Sequence, residues 1–279
     1  MLTQNTGLES QTKYNLSGGA LHIEGTIEEK ILDRQLKIAI GKNKTDTHFI
    51  NVEQPLGKWL QTLLGNFQKG EKDGVCILQG AVVGTGGRRT AKAMTENCIL
   101  MLDIDTGVTI DELEEKLGSI SPLCLLWTTH SHGTKQTQIT ESSFHSWATK
   151  NKIELNDESL PEALVRYLRE VKKYKEAVLD GATYGGRQHG SNGVCYCVNH
   201  MPLQKFRLLF LLKEPFSFSE GGTQEERIKK WKKLIENVSD RLDVPYDTSC
   251  VDPSRPCLSV LVRFNRRHHR MRGIHGYHG

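Results

Sequence analysis

Strand-like apolar runs and amphipathic helical stretches interleave along the chain without internal repeat, and this order predicts a mixed α/β (α+β) fold. Two capping boxes, Thr109-Ile-Asp-Glu112 and Thr223-Gln-Glu-Glu226, mark helix starts between the apolar runs. The 279 residues suffice for one large domain or two small ones with a sizeable core. A hydrophobic fraction of 37%, abundant charge and few aromatics describe a globular chain with polar insertions. No run approaches the roughly 18 apolar residues of a membrane span, and no signal peptide is read at the start. A cytoplasmic protein with no membrane partner is therefore expected. The seven cysteines sit mostly inside apolar runs, which suits reduced thiols rather than a disulfide framework.

Residues 1–20 are polar and end in glycines, which reads as a loose arm. Leu21–Glu24 and Leu36–Ile40 alternate like strands, and Asn51–Gly65 reads as a short helix around Trp59 and Leu63. Gly74–Val83 is an apolar strand running into a glycine-rich turn with two arginines, Gly84–Arg89, which fits no Walker A or Rossmann fingerprint. The first capping box opens a helix carrying Leu113 and Leu117, and Leu123–Trp127 is the next strand. Residues 134–158 are low in apolar content and look like an inserted loop. Ser159-Leu-Pro-Glu162 starts a second helix with Leu164, Leu168, Val171 and Val178 on one face. Val194–Val198 and Phe206–Leu212 read as strands, and the second capping box opens a helix presenting Ile228, Trp231, Leu234, Ile235, Val238 and Leu242.

The run Cys98–Gly107 carries the strongest chemical signal. Its apolar stretch ends in Asp103-Ile104-Asp105, and the two-residue period of a strand sends both carboxylates to one face. Neighbouring carboxylates repel unless a cation sits between them, and such oxygen ligands favour Mg²⁺ or Mn²⁺. An isolated Asp-x-Asp is equally two exposed aspartates at a strand end. Three further segments share its character: Thr128-Thr-His-Ser-His132, Lys205-Phe-Arg207, and Tyr246–Arg255 with Asp247 and Asp252. Brought together they would supply three carboxylates for metal, with imidazole and guanidinium groups for triphosphate oxygens.

From about Gly84 to Val262 the chain resembles the archaeo-eukaryotic primase superfamily, most closely the primase-polymerases of plasmids and phages. The resemblance rests on the apolar strand ending in Asp103-x-Asp105, the Thr-x-Ser-His element, the Lys205-Phe-Arg207 strand ending in Leu-Lys-Glu-Pro, and Asp-x-Ser-Cys-x-Asp-Pro-Ser-Arg255. It implies an RNA-recognition-like core sheet with an added N-terminal αβ unit. It also implies primer synthesis on single-stranded DNA from NTPs or dNTPs, using two Mg²⁺ or Mn²⁺ ions. Carried over by position, Asp103 and Asp105 are the metal-binding pair and Asp247 the third carboxylate, with Asp252 its competitor. His132, Lys205, Arg207 and Arg255 contact the nucleotide. No helicase P-loop is present, so unwinding would fall to a separate replicative helicase. The implied catalytic domain spans 21–262, with an insertion at about 134–200.

His189-x5-Cys195-x-Cys197-x2-His200 offers a tetrahedral zinc set inside that insertion, although Cys195 and Cys197 also alternate as ordinary strand residues would. The segment 263–279 is rich in Arg and His and lacks acidic residues, which suits contact with a polyanion or a solubilising end. Two other readings use the same residues. A rolling-circle initiator would pair His130 and His132 for metal and use Tyr167 or Tyr174 as nucleophile. A non-catalytic nucleic-acid-binding module would rely on the basic tail and the sheet.

Overall fold

The computed structural model describes residues 13–17, 20–24, 29–43, 45–65, 74–84, 87–120, 124–190 and 193–258. The basic 263–279 segment and residues 1–12 of the expected arm lie outside the described residues. In chain order the elements are β1 (Lys13–Ser17), β2 (Ala20–Glu24), α1 (Glu29–Leu32), β3 (Gln35–Gly41), β4 (Ile50–Pro55), α2 (Leu56–Gly65), β5 (Cys76–Ile77), β6 (Gly80–Val82), β7 (Met94–Ile104), α3 (Ile110–Ile120) and β8 (Cys124–Thr128). They continue with β9 (Thr134–Thr140), α4 (Glu141–Lys150), α5 (Leu160–Glu170), α6 (Glu176–Leu179), β10 (Thr183–Gly190), β11 (Gly193–Leu203), β12 (Phe206–Ser217), α7 (Gln224–Leu242) and β13 (Cys257–Leu258). The chain is mixed α/β, and its sheets are antiparallel.

A central sheet in the order β6-β7-β12-β8 organises the molecule. Strand alternation gives β7 and β12 two different faces. Leu100, Leu102, Ile104, Leu208 and Phe210 face α3 and α7, packing with Leu113, Leu117, Trp231, Ile235 and Leu242. Ile99, Met101, Leu209 and Trp127 face the opposite way, against Leu36, Ile38 and Ile77 of a second sheet, β13-β5-β3-β4, and Trp59 of α2. Both capping boxes form as read: Thr109 N–H donates to Glu112 Oε2 (2.8 Å), and Thr223 N–H to Glu226 Oε2 (2.8 Å).

A third sheet, β10-β11-β9, carries α4 and α5 on one face and is inserted between β8 and β12. Its Gly133 N–H donates to Leu203 O (2.8 Å), and Lys175 N–H to Thr106 O (3.0 Å), which docks the insertion beside the end of β7. Gly107 allows the close approach. Its φ is +84°, and a Cβ there would lie 2.3 Å from Val178 Cγ2.

Several local expectations are corrected. Residues 134–158 are no loop but contain β9 and α4. One face of β9 is open, so only Ile139, Phe144 and Ala148 are buried between Thr134 and Lys150, and the apolar signal is sparse. Asn51–Gly65 divides into strand β4, paired along β3, and helix α2. The long second helix is two helices, interrupted where Lys173 adopts a φ of +58°. Residues 13–17, expected as arm, pair with 20–24 as a hairpin.

Candidate active site

The register of the central sheet assembles the charged cluster. Arg207 lies directly opposite Asp103 on β7 and opposite Trp127 on β8, while Phe206 lies opposite Ile104 and Thr128. Asp103, Arg207 and Trp127 therefore form one cross-strand row on the face that, two residues earlier along β7, is the apolar row of Met101 and Leu209. The next row outward holds Asp105, Lys205 and Thr129, the last tied by its N–H to Lys205 O (3.1 Å). The charges are thus the outer continuation of a buried seam between two sheets.

Asp247 and Arg255 arrive by a different route. Strand β6 pairs with β7 only as far as Asn97, leaving the edge of β7 beyond it without a strand neighbour among the described residues. Other groups satisfy that edge. Cys98 and Ile99 N–H donate to Gln79 O, Met101 N–H to Gln79 Oε1 (2.8 Å), and Asp103 N–H to Cys250 Sγ (3.2 Å). Asp247 N–H donates in turn to Asp103 O (2.9 Å), which fastens the 247–255 segment to the end of β7. Buried Asn97 Nδ2 donates to Pro253 O (3.4 Å) from the other side.

Within the cluster, Arg207 grips Asp103 with two parallel bonds, Nε to Oδ1 and Nη2 to Oδ2 (2.9 Å). Arg207 Nη1 also donates to Cys257 Sγ (2.9 Å). Arg255 Nη2 reaches Asp103 Oδ2 (2.6 Å) and Asp247 Oδ2 (3.0 Å) together. Lys205 Nζ lies 3.4 Å from Asp105 Oδ2. Three carboxylates are thus matched by three cations.

The three carboxylates are not equivalent. Burial raises the Asp103 pKa, but Arg207 and then Arg255 outweigh it and hold the group below the usual carboxylate range. Burial pushes Asp105 up; Lys205 pulls against it, and the Asp103 charge adds to the rise. Asp247 is held low against burial by the Ser249 N–H and by Arg255. The Asp103 side chain is 7% exposed, whereas Asp105 is 39% and Asp247 36% exposed, so the latter two form the accessible lip.

No protein-family model, curated protein or solved structure matches the chain. The geometry therefore stands by itself.

The structure places Asp103, Asp105, Asp247, Lys205, Arg207 and Arg255 in one cluster. Asp252 stands apart: its Oδ1 accepts from Ser254 N–H (2.9 Å) and Oγ (2.7 Å), the pattern of a turn. His132 backs the cluster rather than entering the ion pairs. Its Nδ1 lies 3.1 Å from both the N and O of Lys205, and its ring packs edge-on to Phe206. Among the described residues no three His, Cys, Asp or Glu side chains converge as a metal-holding group. In the carboxylate cluster one guanidinium nitrogen, Arg255 Nη2, stands between the Asp103 and Asp247 oxygens, and Lys205 pairs with Asp105. Arg255 Nη2 itself is a cationic nitrogen held by Asp103 and Asp247, so these hard oxygens are disposed to share one cation, and the donor set suits Mg²⁺ or Mn²⁺.

The expected zinc set is not brought together. Cys195 and Cys197 lie opposite Thr140 and Gln138 on one face of β11. His200 turns to the other, where Nε2 bonds Thr137 Oγ1 (2.9 Å) and the ring packs on Tyr174. His189 is exposed on β10. Period-two alternation separates the groups that linear spacing had grouped.

Four groups escaped the sequence reading. Cys250 and Cys257 contact the Asp103 main chain and Arg207, and burial pushes the Cys250 thiol up to about 11. The hydroxyls of Thr106 and Thr129 are buried without a hydrogen-bond partner among the described residues. Thr129 lies in the Thr128–His132 segment singled out from the sequence, but only the β8–β12 register sets it beside Lys205.

Proposed function

We propose that the chain is a nucleotidyltransferase of the primase-polymerase kind, joining NTPs or dNTPs on a single-stranded DNA template at the Asp103–Arg207 end of the central sheet. The observation that carries this is the convergence of six charged side chains, from segments up to 152 residues apart, onto one lip of one sheet. The connectivity supports it as well. β7-α3-β8, then β12-α7, with both helices on one face of an antiparallel sheet, is the arrangement an RNA-recognition-like core would have.

The chemistry follows from charge. Asp103, Asp105 and Asp247 would hold the divalent ions, which when bound lower the pKa of an attacking hydroxyl and stabilise the leaving pyrophosphate. Lys205, Arg207 and Arg255 then turn from carboxylates to triphosphate oxygens, for which the two guanidiniums supply planar donor pairs. The cluster is neutral as it stands, so a triphosphate and its counter-ions add together without leaving an uncompensated buried charge. The Thr129 hydroxyl, in the Lys205 row and buried without a partner among the described residues, is a further donor that a bound phosphate would satisfy.

A nicking reaction fits less well. Tyr167 and Tyr174 are 5% and 6% exposed and belong to the core of the inserted unit, and burial raises both phenols. The deciding assay is primer synthesis on circular single-stranded DNA with labelled NTPs and dNTPs, in Mg²⁺ and then Mn²⁺. Short products from wild type and none from Asp103→Ala/Asp105→Ala are expected. Absence of product under both metals sinks the proposal, and cut circles with covalently attached protein would turn it toward nicking.

A further inference from the structure

One nitrogen of Arg255 serves two carboxylates while another serves none. Nη2 lies 2.6 Å from Asp103 Oδ2 and 3.0 Å from Asp247 Oδ2, whereas Nη1 is buried without a partner among the described residues. A purely structural tie would have both edges of the guanidinium satisfied. Arg207 takes both oxygens of Asp103, so each of them already faces a guanidinium nitrogen. A divalent ion approaching Asp103 and Asp247 meets a like charge already seated on the same oxygens. A polyphosphate approaching alone meets cations committed to carboxylates, and its own charge faces three nearby Asp side chains.

We infer that Arg255 makes this site selective for a divalent cation and a polyphosphate arriving together, and against either one alone. The inference rests on the nucleotide-binding reading above for the identity of the polyphosphate. Arg255 leaves the Asp103–Asp247 pair only when phosphate oxygens receive its Nη1 and Nη2. The carboxylates accept a divalent ion only when Arg255 has left. Each ligand therefore raises the affinity of the other by the same factor.

The test compares wild type, Arg255→Gln and Arg255→Lys, each checked for native near-UV dichroism. Mn²⁺ binding without nucleotide is followed by electron paramagnetic resonance. Binding of a nucleoside triphosphate is followed by equilibrium dialysis, once in EDTA and once in excess Mg²⁺. Arg255→Gln is expected to bind Mn²⁺ alone about tenfold more tightly than wild type, with the Mg²⁺-dependent gain in triphosphate affinity reduced by a similar factor. If Gln at this position prevents folding, Arg255→Lys carries the comparison, because its Nζ falls about one bond short of the Nη2 position and so loosens the tie to the two carboxylates. Equal Mn²⁺ affinity in wild type and the folded variant overturns the inference. The two proposals fail separately. Primer synthesis with unchanged Mn²⁺ affinity removes only the Arg255 inference, and the expected Mn²⁺ response without primer synthesis removes only the polymerase reading. Failure to bind Mn²⁺ in any form removes both.

Discussion

Arg207 and Asp103 face each other across adjacent antiparallel strands, 104 residues apart in sequence, and the guanidinium takes both oxygens of the carboxylate. The pair sits where a buried inter-sheet seam meets solvent, with Arg207 17% exposed and Asp103 7%. Removing one member of such a pair leaves the other buried and uncompensated.

Asp103→Asn should therefore destabilise the folded chain by about 3–5 kcal/mol, since it strands Arg207 and leaves Arg255 with Asp247 alone. Asp105→Asn should do the reverse and raise the melting temperature modestly, because burial and Asp103 make its charge unfavourable in the fold. Chemical denaturation of both variants near neutral pH checks the opposite signs. Two changes of the same sign would contradict this account of the cluster.

The pH dependence of those effects follows from the direction of each shift. The folded pKa of Asp103 is depressed, so its contribution is complete above the unfolded value of about 3.9 and is lost as pH falls through the folded value. For Asp105 the folded pKa is raised, so the fold loses stability as pH climbs from about 3.9 through the folded value. The advantage of Asp105→Asn should thus vanish below about pH 3.9 and be full above the raised value. An advantage that persists in acid would have another origin.

Arg207→Lys keeps the charge but loses the two-oxygen grip and the Cys257 contact. A loss of about 2 kcal/mol in urea unfolding is expected. Stability equal to wild type would mean that charge alone, not the planar fork, holds Asp103.

Thr129→Val removes a buried hydroxyl that has no partner, so it should be nearly neutral for folding. In the polymerase assay it should raise the nucleotide KM about tenfold, with Thr129→Ser restoring it. A KM unchanged by valine would remove Thr129 from the nucleotide site.

Gly107→Ala should cost roughly 2 kcal/mol, from the positive φ and the clash with Val178. Part of this should return in Gly107→Ala/Val178→Ala, read as a coupling energy of about 1 kcal/mol in a double-mutant cycle. Simple additivity would show that Val178 is not the obstacle.

Local chemistry was readable from the chain where it depends on neighbours a few residues away. The two helix starts follow from capping boxes, and the shared face of Asp103 and Asp105 follows from the strand period. The same local logic misread 134–158, because a sheet covered on one face needs few apolar residues, and it grouped His200 with Cys195 and Cys197 although alternation sends them apart. Pairing was decided only in three dimensions. The termination of β6 leaves the β7 edge open, and the 247–255 segment fills it, so Asp247 rather than Asp252 joins Asp103. The β7–β12 register then sets Arg207 and Lys205 on the two carboxylates. Periodicity and caps are short-range properties written into adjacent side chains, whereas register and edge occupancy depend on which backbone hydrogen bonds remain to be satisfied once the whole sheet has formed.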